Sequence, residues 1–172
     1  AFEGKVDYIR PCIGCGRCLT GIMMGKRISC TVNPSVEDDT VEKAAEKKKV
    51  LVIGGGPAGM EAAYVAHQRG HEVVLCEKSN ELGGQLRIAA VPIAKQELCR
   101  VIKYMKRRLD NAGIKVRLNT EVTEEMLNNE FKDYEIICSC GAISKEIPPF
   151  KVFKNCMTAD EVLSGSKCPG RN

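Results

Sequence analysis

The most informative stretch of this 172-residue sequence is residues 49–59, which read KVLVIGGGPAG. It begins with a short apolar run that ends in glycine, a pattern typical of a strand buried on both faces of a parallel sheet. Pro57 suits the first turn of a helix, and Gly70 suits the end of that helix after Arg69. The stretch therefore predicts a strand, a tight turn and a helix in direct succession.

The sequence that follows extends this pattern to an α/β fold. Residues 72–77 (EVVLCE) predict a second buried strand, so residues 49–77 form a β-α-β unit. Residues 94–112 carry apolar side chains at helical spacing and predict an amphipathic helix. Further strands are expected at 115–119 and 134–139, and a short helix at 122–129. This alternation predicts a Rossmann-like lobe with a parallel sheet covered on both faces.

The glycines after the first strand form the pattern G-x-G-x-x-G at Gly54, Gly56 and Gly59. The first glycine would make the turn, the second would let backbone approach a pyrophosphate, and the third would allow close helix–strand packing. The helix N-terminus favours the phosphate charge. Glu77, at the end of the second strand, would accept hydrogen bonds from ribose hydroxyls and disfavour a 2′-phosphate. We therefore expect an adenine dinucleotide site; the alternative is a glycine turn without a ligand.

A second pair of glycines bears on which dinucleotide is bound. The G-x-G-x-x-G fingerprint serves both NAD and FAD, so it does not choose between them. Gly83 and Gly84 follow shortly after Glu77 and suggest another close backbone approach to the cofactor, as in flavoproteins of this class. FAD is the expected cofactor.

Four of the ten cysteines form the pattern C-x2-C-x2-C-x11-C at Cys12, Cys15, Cys18 and Cys30. Three ligands on one tight loop and a distant fourth are typical of a 4Fe-4S cluster. A zinc site is one alternative, although structural zinc usually uses two separated pairs, and unligated thiols are another. The other six are expected to be small buried hydrophobic residues; they are Cys76, Cys99, Cys138, Cys140, Cys156 and Cys168.

Composition and charge limit the classes of function. The chain is 44% hydrophobic and 28% charged, with a net charge of +4. Its basic residues are spread among acidic ones, so neither nucleic acid nor a membrane surface is an expected partner. No apolar run reaches the roughly 18 residues of a spanning helix, and no signal-peptide pattern begins the chain, so a cytoplasmic location is expected.

The chain is expected to contain three parts in succession. Residues 1–34 are rich in glycine and cysteine, show no useful periodicity, and form the iron–sulfur segment. Residues 35–48 are almost wholly polar and form a linker. Residues 49–172 form an incomplete FAD-binding lobe.

Four stretches together resemble the 2,4-dienoyl-CoA reductase, 2-enoate reductase and trimethylamine dehydrogenase family. They are residues 10–18 (RPCIGCGRC), 25–34 (GKRISCTVNP), 50–63 (VLVIGGGPAGMEAA) and 82–86 (LGGQL). The resemblance implies the middle of an enzyme with an N-terminal TIM barrel that holds FMN, a cluster loop, an FAD or ADP lobe and an inserted NAD(P) lobe. It also implies that electrons pass from NAD(P)H through FAD and the cluster to FMN, which reduces an activated C=C bond.

The resemblance also places cofactor contacts residue by residue. It puts Ala58 in the glycine loop, Glu77 on the ribose, Gln85 after the double glycine, Lys95 near phosphate and Val122 beside the adenine through its backbone. A solvated cation and a packing residue are the alternatives for Lys95 and Val122. The full expected set is Gly54, Gly56, Pro57, Ala58, Gly59, Glu77, Lys78, Gly84, Gln85, Lys95 and Val122.

The sequence departs from the family pattern in two places. Residues 139–141 read Ser-Cys-Gly where the family usually has Ala-Thr-Gly, so the packing near the flavin that the resemblance implies does not carry over to these residues. Residues 163–172 resemble the approach to the NAD(P) lobe, but no second glycine fingerprint follows, so a fragment of a larger enzyme is expected. No catalytic acid, base or nucleophile can be named, and His67 and His71 are expected to be surface or capping residues.

The expected function is the electron-transfer segment of a flavin and 4Fe-4S oxidoreductase. Its expected partners are the FMN barrel and the NAD(P) lobe of the parent enzyme, and self-association into a homo-oligomer is left open. One alternative is a relay in an amine dehydrogenase whose lobe holds structural ADP. Another is a nucleotide-binding adaptor with a structural zinc site.

Overall fold

A four-stranded parallel sheet forms the centre of the computed structural model, which describes residues 4, 8–38, 40–145 and 156–170. The strand order is β3-β2-β1-β4. The strands are β1 (Lys49–Ile53), β2 (Glu72–Cys76), β3 (Lys115–Arg117) and β4 (Glu135–Cys138). In the central register, Ile53 lies opposite Cys76 of β2 and Cys138 of β4. The carboxyl ends of β1, β2 and β4 therefore meet at one edge of the sheet.

Helices connect the strands and cover the sheet. They are α1 (Arg17–Met23), α2 (Pro57–Gln68), α3 (Gln85–Ala89), α4 (Glu97–Asn111), α5 (Glu124–Asn128) and α6 (Ala159–Leu163), with a short 3-10 helix at Ile93–Lys95. Pro57 occupies the start of α2, where a missing N–H costs nothing. The α/β fold with a Rossmann-like parallel sheet is confirmed.

The core lies on both faces of the two central strands, because alternate side chains point to opposite faces. Val50 and Val52 pack with apolar residues of α2 and α4, among them Met60 and Leu109. Leu51 packs on the other face with Phe131, which is 1% exposed and next to α5. Helices α2 and α4 thus cover one face, and the α5 region covers part of the other.

The predicted elements are present with small shifts of their ends. The helix expected at 94–112 runs over 97–111, and the strands expected at 115–119 and 134–139 are shorter at their ends. Three short helices, α1, α3 and α6, were missed, because none of them has a buried side chain that would produce an apolar stripe. The described part of residues 35–48 contains a turn and bends and no helix or strand, and its division from the lobe as a linker stays a prediction.

Strand β4 and most of the cysteines are more exposed than predicted. Every residue of β4 is exposed, so the expectation of a sheet covered on both faces fails for this edge strand. The prediction that the remaining cysteines are buried holds only for Cys76. The exposed ones are Cys99, Cys138, Cys140, Cys156 and Cys168. Strand periodicity does not tell an edge strand from a central one, which explains the error for β4 and for Cys138.

The cysteine-rich segment packs on the α2/α4 face of the sheet. Ile13 and Val32 contact the apolar cluster there, and Pro11 is buried. The segment therefore has a small apolar anchor that its sequence did not reveal. In the described residues, no helix is both long enough and apolar enough to cross a membrane.

Leu109→Ala should lower the free energy of unfolding by about 2–5 kcal/mol, because Leu109 is fully buried between α4 and the sheet. Ile93→Ala is the control, since Ile93 is 89% exposed, and its effect should stay within about 0.5 kcal/mol. Urea unfolding followed by circular dichroism measures both. Equal losses for the two variants would contradict this description of the core.

Candidate functional site

The glycine loop lies at the carboxyl edge of the sheet, between β1 and α2. Gly54 adopts φ 106°, a left-handed conformation that suits glycine. A side chain at Gly59 would overlap the Gly54 carbonyl oxygen, so Gly59 allows α2 to pack directly on the loop. By contrast, a Cβ added at Gly56 would meet no atom within 4 Å. Gly54 and Gly59 therefore make the turn and the close packing predicted for them, whereas the approach of Gly56 to a pyrophosphate stays a prediction. The space beside Gly56 is open.

The first turn of α2 supplies hydrogen-bond donors to that space. The first amides of a helix have no intrahelical acceptor, and they carry partial positive charge. Ala58 is exposed on this turn, while Pro57 begins it. The arrangement fits a diphosphate group.

The double glycine approaches the same loop from the other side. The Gly83 amide donates to the Gly55 carbonyl at 2.9 Å. A Cβ at Gly84 would lie 3.1 Å from the Gly56 Cα, so the two backbones are nearly in contact. The structure thus brings together two glycine pairs that are far apart in sequence, as a second backbone approach requires.

Glu77 follows β2 directly and is a buried carboxylate, 7% exposed. Its Oε2 accepts from the Gly55 amide at 2.5 Å, and its Oε1 accepts from the Ser79 amide at 2.8 Å and hydroxyl at 2.7 Å. Burial acts to raise the pKa of Glu77, but these hydrogen bonds and the charge of Lys78 outweigh burial and leave the pKa below its ordinary value. Glu77 therefore stays ionised and ties β2 to the glycine loop.

The carboxylate still has capacity for a ligand. Each carboxylate oxygen can accept about two hydrogen bonds, so Oε2, which takes one from Gly55, has an acceptor position left. This fits the predicted contact with a ribose hydroxyl. Sequence reasoning missed the structural role of Glu77, because its partner Gly55 has no side chain to mark it.

Ser139, which follows β4, also forms hydrogen bonds with the end of β1 and the glycine loop. Its amide donates to the Ile53 carbonyl at 2.8 Å, and its hydroxyl lies 2.9 Å from the same oxygen and 3.0 Å from the Gly54 carbonyl. The departure from the family pattern at this position therefore contributes a hydrogen-bonding side chain at the turn.

The remaining predicted contacts lie around this edge at different distances from the loop. Lys78 and Gln85 are exposed, and the Gln85 side chain donates to the Ala142 carbonyl at 2.5 Å. Val122 lies two residues after Thr120, whose amide donates to the Glu77 carbonyl at 2.9 Å, and it also packs against the Leu51 side of the core. Lys95 ends the 3-10 helix and is exposed. Among the described residues, the Lys95 side chain forms no hydrogen bond or ion pair with the glycine loop.

The four predicted metal ligands lie in one segment. Cys12, Cys15 and Cys18 are exposed, and Cys30 is partly buried. In the part of the chain that is described, no three acidic, histidine or cysteine side chains converge in a geometry that would hold a metal ion. Two contacts nevertheless join the triplet to the chain around Cys30.

These two contacts involve a thiol and a guanidinium. The Cys15 Sγ lies 3.2 Å from the Thr31 hydroxyl, and the Arg17 Nε donates to the Ser29 hydroxyl at 3.0 Å. The hydrogen bond with Thr31, followed by that with the Arg17 amide, lowers the pKa of Cys15 and so favours the thiolate, which is the form that binds metal. The Gly14 amide also donates to the Cys12 sulfur at 3.3 Å. The donor set fits a thiolate-bound cluster in its chemistry.

Arg10 attaches both ends of this segment to α2. Its guanidinium donates to the Val32 carbonyl at 2.6 Å and lies 3.5 Å from the Glu61 carboxylate. Arg108 of α4 donates to the same carboxylate at 2.6 Å and stacks on the Tyr64 ring. Arg10, Glu61 and Arg108 are 15–18% exposed, so their charges are strongly shielded from water. Sequence reasoning missed this network, because its members are about 50 residues apart.

The histidines and a nearby cleft lie away from the glycine loop. The Nδ1 of His71 accepts from the Lys48 amide at 3.1 Å, a structural role of the expected kind. His67 lines a cleft of about 620 Å³ between the last turns of α2 and α4 and the chain around Tyr8. None of the residues predicted to contact a cofactor lines this cleft.

The sequence profile of the family described as FAD dependent oxidoreductase matches residues 49–155. The chain belongs to this family. It is 40% identical over 172 residues to bilirubin reductase of Mediterraneibacter gnavus, a match that covers 96% of this chain and 26% of that protein. Cinnamate reductase of Clostridium sporogenes is 37% identical over 145 residues, covering 82% of this chain and 22% of that protein.

The solved structures include the same family. A 2-naphthoyl-CoA reductase in complex with 2-naphthoyl-CoA superimposes with a TM-score of 0.88 at 31% identity, covering 97% of this chain and 26% of that one. The family resemblance read from the motifs is confirmed, and this FAD-dependent oxidoreductase chain spans about a quarter of the length of the relatives it matches.

Glu77→Gln should lower the free energy of unfolding at neutral pH by about 1–3 kcal/mol, because the amide keeps one acceptor oxygen and replaces the other with a donor NH2 group. The native pKa of Glu77 lies below its ordinary value of 4.5, so its stabilising contribution is complete above that value and is lost as pH falls through the lowered pKa. Urea unfolding over a pH series should therefore show a smaller acid-induced loss in the variant. The exposed Glu121→Gln is the control, and an unchanged pH profile in Glu77→Gln would contradict this role.

Proposed function

We propose that this chain is the electron-transfer segment of a flavin and 4Fe-4S oxidoreductase that reduces an activated C=C bond at the expense of NAD(P)H. The observation that carries the proposal is that α2 supports both halves of the relay. Its N-terminus forms the dinucleotide edge with Glu77, and Glu61, on its next turn, holds the cysteine segment through Arg10.

FAD is the proposed ligand of the sheet edge. Gly56 and the Ala58 amide would face the diphosphate, and Glu77 would accept from the adenosine ribose. Gly84 and Gln85 would contact the cofactor from the other side. The rest of the proposed set is Gly54, Pro57, Gly59, Lys78, Lys95 and Val122. A carboxylate at the ribose position repels a 2′-phosphate, which favours FAD or ADP over NADP in this lobe.

A 4Fe-4S cluster is the proposed ligand of Cys12, Cys15, Cys18 and Cys30. When bound, the two groups supply complementary chemistry, since a flavin accepts two electrons from reduced nicotinamide and a cluster passes them singly. Backbone donors such as the Gly14 amide would tune the cluster by hydrogen bonds to sulfur. The apolar contacts of Ile13 and Val32 hold the segment on the lobe.

The substrate class and the partners come from the relatives. One is named for cinnamate, an acid with an activated C=C bond, and another for an aromatic acyl-CoA. The proposed substrate site lies in an FMN-binding barrel and the proposed NAD(P) site in a separate lobe, both outside this chain. Ile136 and Ile137 on the exposed strand β4 point to opposite faces of the sheet and are 49% and 36% exposed, so each face of this edge strand offers one apolar side chain for packing against such a part.

The full-length protein, prepared without oxygen, should contain about four irons and four inorganic sulfides per chain, as the cysteine spacing predicts. Cys15→Ser should remove most of both. Cys99→Ser is the matched control, because Cys99 is exposed at the start of α4, outside the segment. Zinc at full occupancy without sulfide would contradict the proposed cluster and favour the adaptor with a structural zinc site. Bound ADP without flavin would instead favour a relay of the amine dehydrogenase type.

Gly56→Val should weaken FAD binding about tenfold or more without unfolding the lobe. Gly56 has φ −71° and ψ 178°, which valine tolerates, and its added side chain would enter only the open space proposed for the diphosphate. Thermal unfolding checks the fold, and calorimetry with the flavin-free full-length protein measures binding. The wild-type protein should also bind ADP at least about tenfold more tightly than its 2′-phosphate analogue. Unchanged FAD affinity in Gly56→Val would show that the site lies elsewhere.

A further inference from the structure

Two thiols meet at the carboxyl end of β4, outside the cluster segment. Cys138 is the last residue of the strand, and Cys140 follows it by two positions. Their Sγ atoms are 3.5 Å apart, and both residues are exposed. The hydrogen bond with Cys138, followed by burial of its sulfur, raises the pKa of Cys140 and so favours its protonated thiol. The proposed electron relay uses neither residue.

The surroundings of the pair allow the two sulfurs to approach further. A disulfide needs a separation of about 2.05 Å, so the contact must shorten by roughly 1.5 Å. The neighbouring Ile136 and Ile137 side chains are exposed, so a small movement at this end of β4 would expose little additional apolar surface. Gly141, directly after Cys140, has φ 76° and provides the bend that follows the pair.

The backbone between and after the two thiols is bonded to the dinucleotide edge. Ser139 stands between them and binds the Ile53 and Gly54 carbonyls through its amide and hydroxyl. The Ala142 carbonyl accepts from Gln85. Because Ser139 lies between the two cysteines, backbone movement that closes the bridge would move its peptide and disturb the bonds that position the glycine loop.

We propose that Cys138 and Cys140 form a reversible intrachain disulfide, and that this bridge weakens dinucleotide binding by displacing Ser139 from the glycine loop. A small-molecule disulfide such as oxidised glutathione is the oxidant. One thiol loses its proton and attacks a glutathione sulfur, which releases one glutathione thiol and leaves a mixed disulfide. The other thiol then loses its proton and attacks the protein sulfur of that mixed disulfide, so the Sγ–Sγ bond forms and a second glutathione thiol leaves.

The proposed disulfide is of the readily reduced type that can serve regulation. A disulfide across a single intervening residue is strained, and strained or exposed disulfides are the readily reduced ones. Reduction by a thiol pool would restore the Ser139 contacts. The coupling to the cofactor rests on the proposed dinucleotide site, whereas formation of the bridge does not.

A peptide assay tests the bridge in the full-length protein. The protein is incubated without oxygen in reduced or oxidised glutathione, its free thiols are alkylated, and trypsin cuts after Lys132 and Lys145. The resulting peptide, residues 133–145, contains Cys138 and Cys140 and no other cysteine. It should carry two alkyl groups from the reduced sample and none from the oxidised one. A doubly alkylated peptide in both samples would overturn the proposal.

FAD affinity measured on the same samples tests the coupling. Oxidation should weaken binding about fivefold to tenfold, the size expected for one or two lost hydrogen bonds. Cys140→Ser should bind FAD equally in both buffers. A bridge without an effect on affinity, or an equal loss in Cys140→Ser, would overturn the coupling. If the wild-type protein failed to bind FAD even in reduced glutathione, the proposed dinucleotide site itself would be overturned. The peptide assay would still show whether the bridge forms.

Discussion

The parallel pairing of β1 with β2 on one side and β4 on the other is the constraint on which the site depends. The register places Ile53 level with Cys76 and Cys138, so the segments that follow the three strands emerge together. The Gly54 amide donates to the Cys76 carbonyl and the Ser139 amide to the Ile53 carbonyl, each at 2.8 Å. A shift by one residue would move apolar side chains to the wrong face and separate these segments.

The edge that results is built mostly from backbone. Gly54, Gly59 and Gly84 let chain segments approach at distances that side chains would prevent. Glu77 is the buried side chain there with a full charge, and backbone amides compensate it. Such an edge has amide donors that would suit a diphosphate and one carboxylate that would suit ribose hydroxyls. These groups are complementary to those of the proposed adenine dinucleotide.

The cysteine segment is fixed to this edge through charge as well as apolar contact. Glu61 lies between Arg10 and Arg108, and all three are largely shielded from water. Removing charges from water is costly, so such a group contributes more to a defined orientation than to net stability. Because Glu61 is on α2, the position of the cysteines is tied to the helix that begins at the glycine loop.

Local patterns in the sequence determined β1, β2, α2, α4, the glycine roles and the cysteine spacing, since each depends on residues close together in the chain. Tertiary structure alone decided that β4 is an exposed edge, that Glu77 binds Gly55, and that Arg10 meets Glu61 across about 50 residues. It also decided that Cys138 and Cys140 lie at the surface with their sulfurs in contact. Burial and long-range pairing depend on which elements pack against each other, and periodicity in a single segment carries no record of its neighbours.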